Sequence, residues 1–143
     1  MPDQACTSPN THARRLLVDA AWRHRARYRP SRDLRRRWTP ADVQTAVLYD
    51  HFTLFTLFRL VGLGFCGRGE VKGFIADGVI GVGGRVPIDR HGGQLGEAYL
   101  HGMDGIAEGV CQLRGMSVNP VPDVEGVVVT AGAGVSMSGL VVG

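Results

Sequence analysis

Three short stretches carry side chains able to do chemistry. The first is Tyr49, Asp50, His51 and Phe52. The second runs from His91 through Gly92, Gly93, Gln94, Leu95, Gly96, Glu97 and Ala98 to Tyr99. The third is the turn Thr130, Ala131, Gly132, Ala133 and Gly134. A phenol can give or take a proton once its pKa is moved from its ordinary value of about 10. By spacing, Tyr99 falls on an apolar helix face, where a tyrosine is ordinarily a packed residue with a satisfied hydroxyl. His51 and His101 read as polar packing. Cys66 and Cys111 read as small buried hydrophobes. With Cys6 they make an odd number and show no C-x-x-C spacing, so no metal site is expected. Sparse cysteine fits a reduced, cytoplasmic compartment.

The elements that must position these residues follow from pattern. Thr39 can cap a helix, with Pro40 in its first turn and Asp42 at the positive end of its dipole. That helix is expected to run to about Val61, with Val43, Val47, Leu54, Phe58 and Val61 on one apolar line and Leu48, Phe52 and Phe55 on another. Two apolar lines require partners on two sides. Gly62 and Gly64 end it. Residues 65–91, rich in glycine and interrupted by Pro87, read as loops and short extended pieces. A second helix is expected from Leu95 through Tyr99, Met103, Ile106, Val110 and Leu113, ending at Gly115. Its glycines, Gly96, Gly102, Gly105 and Gly109, allow close packing at a cost of about 1 kcal/mol for each one in a helix interior. Residues 124–130 and 140–142 are β-branched runs that read as two buried strands. The whole is α/β. Two strands do not make a stable sheet, so others are required.

Residues 1–38 differ in kind. They hold ten of the sixteen Lys+Arg and three acids, a net of +7, whereas 39–143 carries −4, giving +3 overall. All 21 glycines lie at or after Gly62. The shift marks a junction near Trp38–Thr39. Within the leader, 11–27 has helical spacing and Pro30 stops it. Closely spaced arginines suit phosphate contact with nucleic acid, or simply a solvated helix face. From Asn10 to Trp38, with Arg14, Arg15, Leu16, Leu17, Ala20, Ala21, Trp22, Arg23 and His24, then Arg35, Arg36, Arg37 and Trp38, the leader resembles text near the C-terminus of bacterial insertion-sequence transposases. No apolar N-terminal stretch reads as a secretory signal, and 54–61 is too short to span a bilayer.

The three chemical stretches resemble thiolases. Those enzymes place Asn-Glu-Ala-Phe on a helix, then Gly-Gly leading to Gly-His-Pro, then a Cys-containing glycine-rich turn between the last two strands. Here Tyr49, Asp50, His51 and Phe52 stand at the first motif. Gly92 and Gly93 match the paired glycines. Ala98, Tyr99 and Leu100 stand at Gly-His-Pro, and Thr130 to Gly134 at the last turn, without its cysteine. With Gly64-Phe65-Cys66 and Ala76-Asp77-Gly78, the text is most similar to the lipid-transfer-protein branch, and within it to the steroid side-chain retro-aldolases. The resemblance covers about 39–143. It implies a partial thiolase-like fold: a C-terminal half with two helices on a fragment of mixed sheet, preceded by the basic helical leader.

That resemblance implies a CoA thioester as substrate with no bound cofactor. Ordinary thiolysis is not supported, because the histidine position is Tyr99 and the turn cysteine is missing. Retro-aldol cleavage needs a base for a β-hydroxyl and an acid or oxyanion donor for the enolate. The resemblance implies Tyr49 and Tyr99 as that pair, either phenol in either role. It implies substrate binding by His51, Gly92, Gly93, Gly132 and Gly134, an OB-fold partner subunit and a homodimer. It also implies that the complementary half is needed for activity. The alternatives are a transposase-derived nucleic-acid-binding remnant, or a fusion of two gene fragments without activity.

Overall fold

The computed structural model describes residues 39–133 and 136–143. Expectations for the leader, and for Gly134, lie outside the described residues. Three strands form one mixed sheet in the order β1–β2–β3: β1 (Thr45–Val47), β2 (Val127–Ala133) and β3 (Ser136–Val142). β1 runs parallel to β2, with Thr45, Ala46 and Val47 opposite Val127, Val128 and Val129. β2 runs antiparallel to β3, from Val127 opposite Val142 to Ala133 opposite Ser136. Among the described residues three helices accompany them: α1 (Thr53–Leu63), α2 (Val71–Ala76) and α3 (Met103–Leu113).

The period-2 alternation of strands sorts the core into two clusters. Ala46 and Val128 pack with Val43, Leu48, Leu60, Phe65 and Val86, so α1 covers one face. Val47, Val127 and Val129 pack with Ile106, Leu113 and Val142, so α3 covers the other. Strands buried on both faces need apolar residues at every position, which explains the unbroken Val-Val-Val of β2. Full burial of each such side chain contributes about 1.5–3 kcal/mol.

The sheet thereby gains the third strand that the sequence pattern left wanting, and it comes from text read as helix. Thr39 does meet Asp42, whose Oδ2 accepts from Thr39 N and Oγ1, both at 2.7 Å. The contact closes one turn, Asp42 N to Thr39 O at 3.0 Å, and no helix follows. Thr45 and Val47 are β-branched and both buried, so they join the sheet instead. The helix starts at Thr53, which leaves Tyr49, Asp50 and His51 in a loop and Phe52 at its N-cap. The second helix likewise starts late, at Met103. Tyr99 has φ +54°, outside the helical region, and Gly102 has φ +78°. Within the glycine-rich stretch, 71–76 forms the short helix α2, where loops and extended pieces were expected. Of the glycines read as helix ends, Gly64 and Gly115 hold, whereas Gly62 lies inside α1. Gly64 caps α1 at φ +86°. Gly115, at φ +64°, follows α3.

Two close approaches hold the layers in register. On α3, a Cβ added at Gly105 would lie 3.0 Å from Val129 Cγ1 and 3.1 Å from Val47 Cγ1; at Gly109 it would lie 3.1 Å from Val129 Cγ2 and 3.2 Å from Val142 Cγ2. On the far side of β1, residues 87–89 run alongside it. Ala46 N donates to Pro87 O at 3.3 Å, Asp89 N to Ala46 O at 3.0 Å, and Thr45 Oγ1 to Pro87 O at 2.7 Å. Leu48 N then donates to Asp89 Oδ1 at 2.7 Å. Burial, with the negative charge of Asp50 adding to it, pushes the Asp89 carboxyl up to about 8, against the pull of the Leu48 N–H and Arg59.

Two outcomes follow from these contacts. Gly109→Leu overpacks the α3–sheet seam and lowers stability by about 1–3 kcal/mol, read as a lower urea midpoint. Gly62→Ala, with nothing within 4 Å of the added Cβ, does not lower it. For Asp89, the unfolded carboxyl titrates near 3.8 and the folded one near 8. Between those values the unfolded state binds fewer protons, so stability present at low pH is lost as pH rises from about 4 to about 8. Asp89→Asn keeps an acceptor for Leu48 N–H but cannot ionise. The midpoint of the parent chain therefore falls relative to that of the variant across this window, and parallel profiles would refute the assignment.

Candidate active site

The loop after β1 is where the sheet stops and polar groups begin. Tyr49 N donates to Thr130 Oγ1 at 3.0 Å, which ties the loop to β2. Arg59 rises from α1 into the same place, and it is the single charged residue of that helix. It is 3% exposed. Its guanidinium donates to Tyr49 O through one terminal nitrogen and to Gly132 O through the other. It also stands 5.5 Å from the centroid of the Tyr49 ring. Burial pulls the Arg59 pKa below its ordinary range, and the negative charge of Asp89 works against that pull. One cation thus clamps the loop, the helix and the end of β2.

Asp50 holds the paired glycines. Its Oδ1 accepts from Gln94 N at 2.9 Å. A Cβ at Gly93 would sit 2.1 Å from Asp50 Oδ2, and the φ there is +79°, so both space and backbone demand glycine. Gly92, at φ +104°, makes the preceding bend. The segment carries buried polar atoms without a protein partner: both ring nitrogens of His91, and Oε1 of Gln94.

That segment delivers Tyr99. Its left-handed backbone is unusual for a bulky residue, and such strain persists where surroundings over-determine it. Leu100 N donates to Asp104 Oδ2 at 2.8 Å and Met103 N to Leu100 O at 2.7 Å, which anchor the turn onto α3. A Cβ at Gly102 would meet Ala131 Cβ at 3.4 Å, so this turn abuts β2.

The outcome is a small polar cluster. Tyr49 Oη lies 3.1 Å from Tyr99 Oη. It also lies 3.1 Å from His101 Nδ1. The rings of Tyr99 and His101 meet edge to face at 4.6 Å. His51 approaches the Tyr49 ring at 4.6 Å and stacks on Phe55 at 4.7 Å. Tyr49 is 8% exposed, Tyr99 half-buried and His101 exposed. The hydrogen bond with Tyr99, and burial after it, hold the Tyr49 phenol above its ordinary range. Tyr49 therefore keeps its proton at neutral pH, and the cluster can pass protons between a buried phenol and the surface.

Of the residues expected from sequence, Tyr49, Tyr99 and His51 converge here. Gly132 joins them through its carbonyl, held by Arg59. Gly92 and Gly93 shape the loop that carries Tyr99, beside Asp50. Arg59 and His101 were not among those expected. A lone cation within an apolar helix was the available signal for Arg59. For His101 it was only its place two residues after Tyr99. Among the described residues no cluster of His, Cys, Asp and Glu could hold a metal ion, and no helix is long and apolar enough to cross a membrane.

Relatives share this text. The chain is 75% identical over 105 residues to 17-hydroxy-3-oxo-4-pregnene-20-carboxyl-CoA lyase of Mycobacterium tuberculosis, covering 73% of this chain and 27% of that protein. It is 61% identical over 104 residues to a steroid side-chain-cleaving aldolase of Thermomonospora curvata, covering 73% of this chain and 27% of that one. Among solved structures, the Ltp2-ChsH2(DUF35) aldolase superposes with a TM-score of 0.71 at 59% identity, over 74% of this chain and 28% of that one. The chain spans about a quarter of the length of the curated relatives it matches. A family model described as thiolase C-terminal domain-like matches residues 6–142. By that match and the fold that accompanies it, the chain belongs to the thiolase C-terminal domain-like family.

Proposed function

We propose that this chain forms the acid–base wall of an active site that cleaves a carbon–carbon bond of a β-hydroxyacyl-CoA thioester by retro-aldol chemistry. The observation that carries the reading is the 3.1 Å approach of two phenols fifty residues apart, Tyr49 and Tyr99. In such a cleavage the β-hydroxyl loses its proton and its oxygen forms the new carbonyl. The Cα–Cβ bond breaks and its electron pair passes into the thioester as an enolate, whose carbon then takes a proton. The reaction needs a proton acceptor beside the hydroxyl and a donor beside the enolate, and no redox step. Tyr99, the more exposed phenol, meets the substrate; Tyr49 stands behind it. His51, Gly92, Gly93 and Gly132 line the substrate side.

The names of the relatives, a pregnene carboxyl-CoA lyase and a steroid side-chain-cleaving aldolase, support a steroid acyl-CoA over a fatty acyl-CoA as the substrate class. The two-part name of the aldolase structure supports a partner subunit, with an OB fold and a second copy of this chain as the expected company. Residues 39–143 are the working segment, in the cytoplasm, with CoA carried by the substrate and no bound cofactor. These relatives favour the enzyme reading over a nucleic-acid-binding remnant. Because the chain spans only 27% of the lyase, turnover requires the remainder of such an enzyme.

The test is a replacement. The mycobacterial lyase is made with the matching residues of this chain in place of its own. The hybrid cleaves its CoA thioester, and Tyr49→Phe or Tyr99→Phe lowers kcat by about 10²–10⁴-fold, the range for lost acid–base catalysis. Phenylalanine variants as fast as the parent hybrid would sink the proposal. A folded hybrid without activity would instead favour an inactive fragment.

A further inference from the structure

A pair of phenols 3.1 Å apart can relay a proton but has no basic nitrogen to hold an extra one. If the pair takes the substrate hydroxyl proton, as the reading above has it, something beyond the pair must accept it until the enolate is ready. The acceptor must touch Tyr49, because Tyr99 faces the substrate. Among the described hydrogen bonds of Tyr49 Oη, the partner besides Tyr99 is His101 Nδ1, at 3.1 Å.

We propose that His101 is the proton acceptor at the solvent end of the phenol pair. Its Nδ1 lone pair faces Tyr49 Oη while its proton sits on Nε2. The O–H of Tyr49 then points to His101, and the O–H of Tyr99 points to Tyr49. This leaves a lone pair on Tyr99 Oη for the substrate. When the hydroxyl O–H breaks, its proton bonds to Tyr99. The former Tyr99 proton moves to Tyr49, and the Tyr49 proton moves to His101 Nδ1, giving an imidazolium. The same three transfers reversed return a proton to the enolate carbon, so atoms and charge balance over the cycle.

Neighbouring groups fit this direction. Arg59, at 5.5 Å from the Tyr49 ring, favours transient negative charge on Tyr49. His51 lies against the ring, and its buried Nδ1 makes no hydrogen bond, so that nitrogen does not compete. Asp50 is committed to Gln94 N, and Asp89 to Leu48 N. His101 is exposed, so its ring can exchange the held proton with solvent. It acts through Tyr49 and does not touch the substrate; it is a positioning residue.

Two measurements test this. In the whole chain labelled with ¹⁵N, the neutral form of His101 carries its proton on Nε2 and leaves a hydrogen-bonded, unprotonated Nδ1. Tyr49→Phe moves the Nδ1 resonance to that of an unbonded nitrogen. A proton found on Nδ1, or a resonance unmoved by Tyr49→Phe, would overturn the proposal. In the hybrid lyase, His101→Ala lowers kcat by about 10–100-fold with KM unchanged, and added imidazole restores the rate. His101→Ala with full kcat, or a loss that imidazole does not restore, counts against it. The inference rests on the phenol pair, and the two failures differ. Active Tyr49→Phe and Tyr99→Phe hybrids would remove the pair itself. Dead phenylalanine hybrids beside a fully active His101→Ala would remove His101 alone.

Discussion

A guanidinium buried in an apolar helix must find oxygen, because an uncompensated buried charge costs several kcal/mol. Arg59 finds two backbone carbonyls, those of Tyr49 and Gly132. Neither acceptor is a carboxylate, so the cation keeps part of its charge for its surroundings, the Tyr49 ring beneath it first among them. The two carbonyls lie on different elements. One follows β1 and the other belongs to β2. The clamp therefore fixes the geometry of the loop that presents Tyr49, and everything assembled around that phenol inherits its position.

A second set of constraints delivers the other phenol. Asp50, next to Tyr49 in the chain, binds the backbone at Gln94 and leaves no room for a side chain at Gly93. The loop carrying Tyr99 is thus referenced to the residue beside its partner. The glycine face of α3 seats that helix closely on Val47 and Val129, so the turn preceding it has little freedom. Two phenols far apart in sequence meet because each is tied to the same few atoms at the top of β1.

Much of this was legible in the sequence. Glycine marked the ends of α1 and α3 because a left-handed residue is needed there. Valine runs marked β2 and β3. The three chemical stretches were located by resemblance, and the family match bears that resemblance out. Helix starts were misread, for physical reasons. The Thr39–Asp42 contact is a real cap that closes one turn and stops, and the β-branched Thr45 and Val47 go to the sheet. Tyr99 scanned as part of an apolar helical face, but its left-handed backbone is imposed by its neighbours and leaves no trace in periodicity. Arg59 and His101 act through contacts with residues at least ten positions away, which no local pattern encodes.

The parallel pairing of β1 with β2 has a kinetic consequence. Thr45 finds Val127 only after the intervening chain has closed on itself, and closing so long a loop is paid in entropy before any contact is made. Topologies dominated by such distant pairings fold slowly compared with those built from local contacts. The helices can flicker into being early, but Arg59 has no second carbonyl to bind until β2 arrives. The hydroxyl of Tyr49 thus acquires its neighbours late, and its environment reports the moment at which the chain has closed.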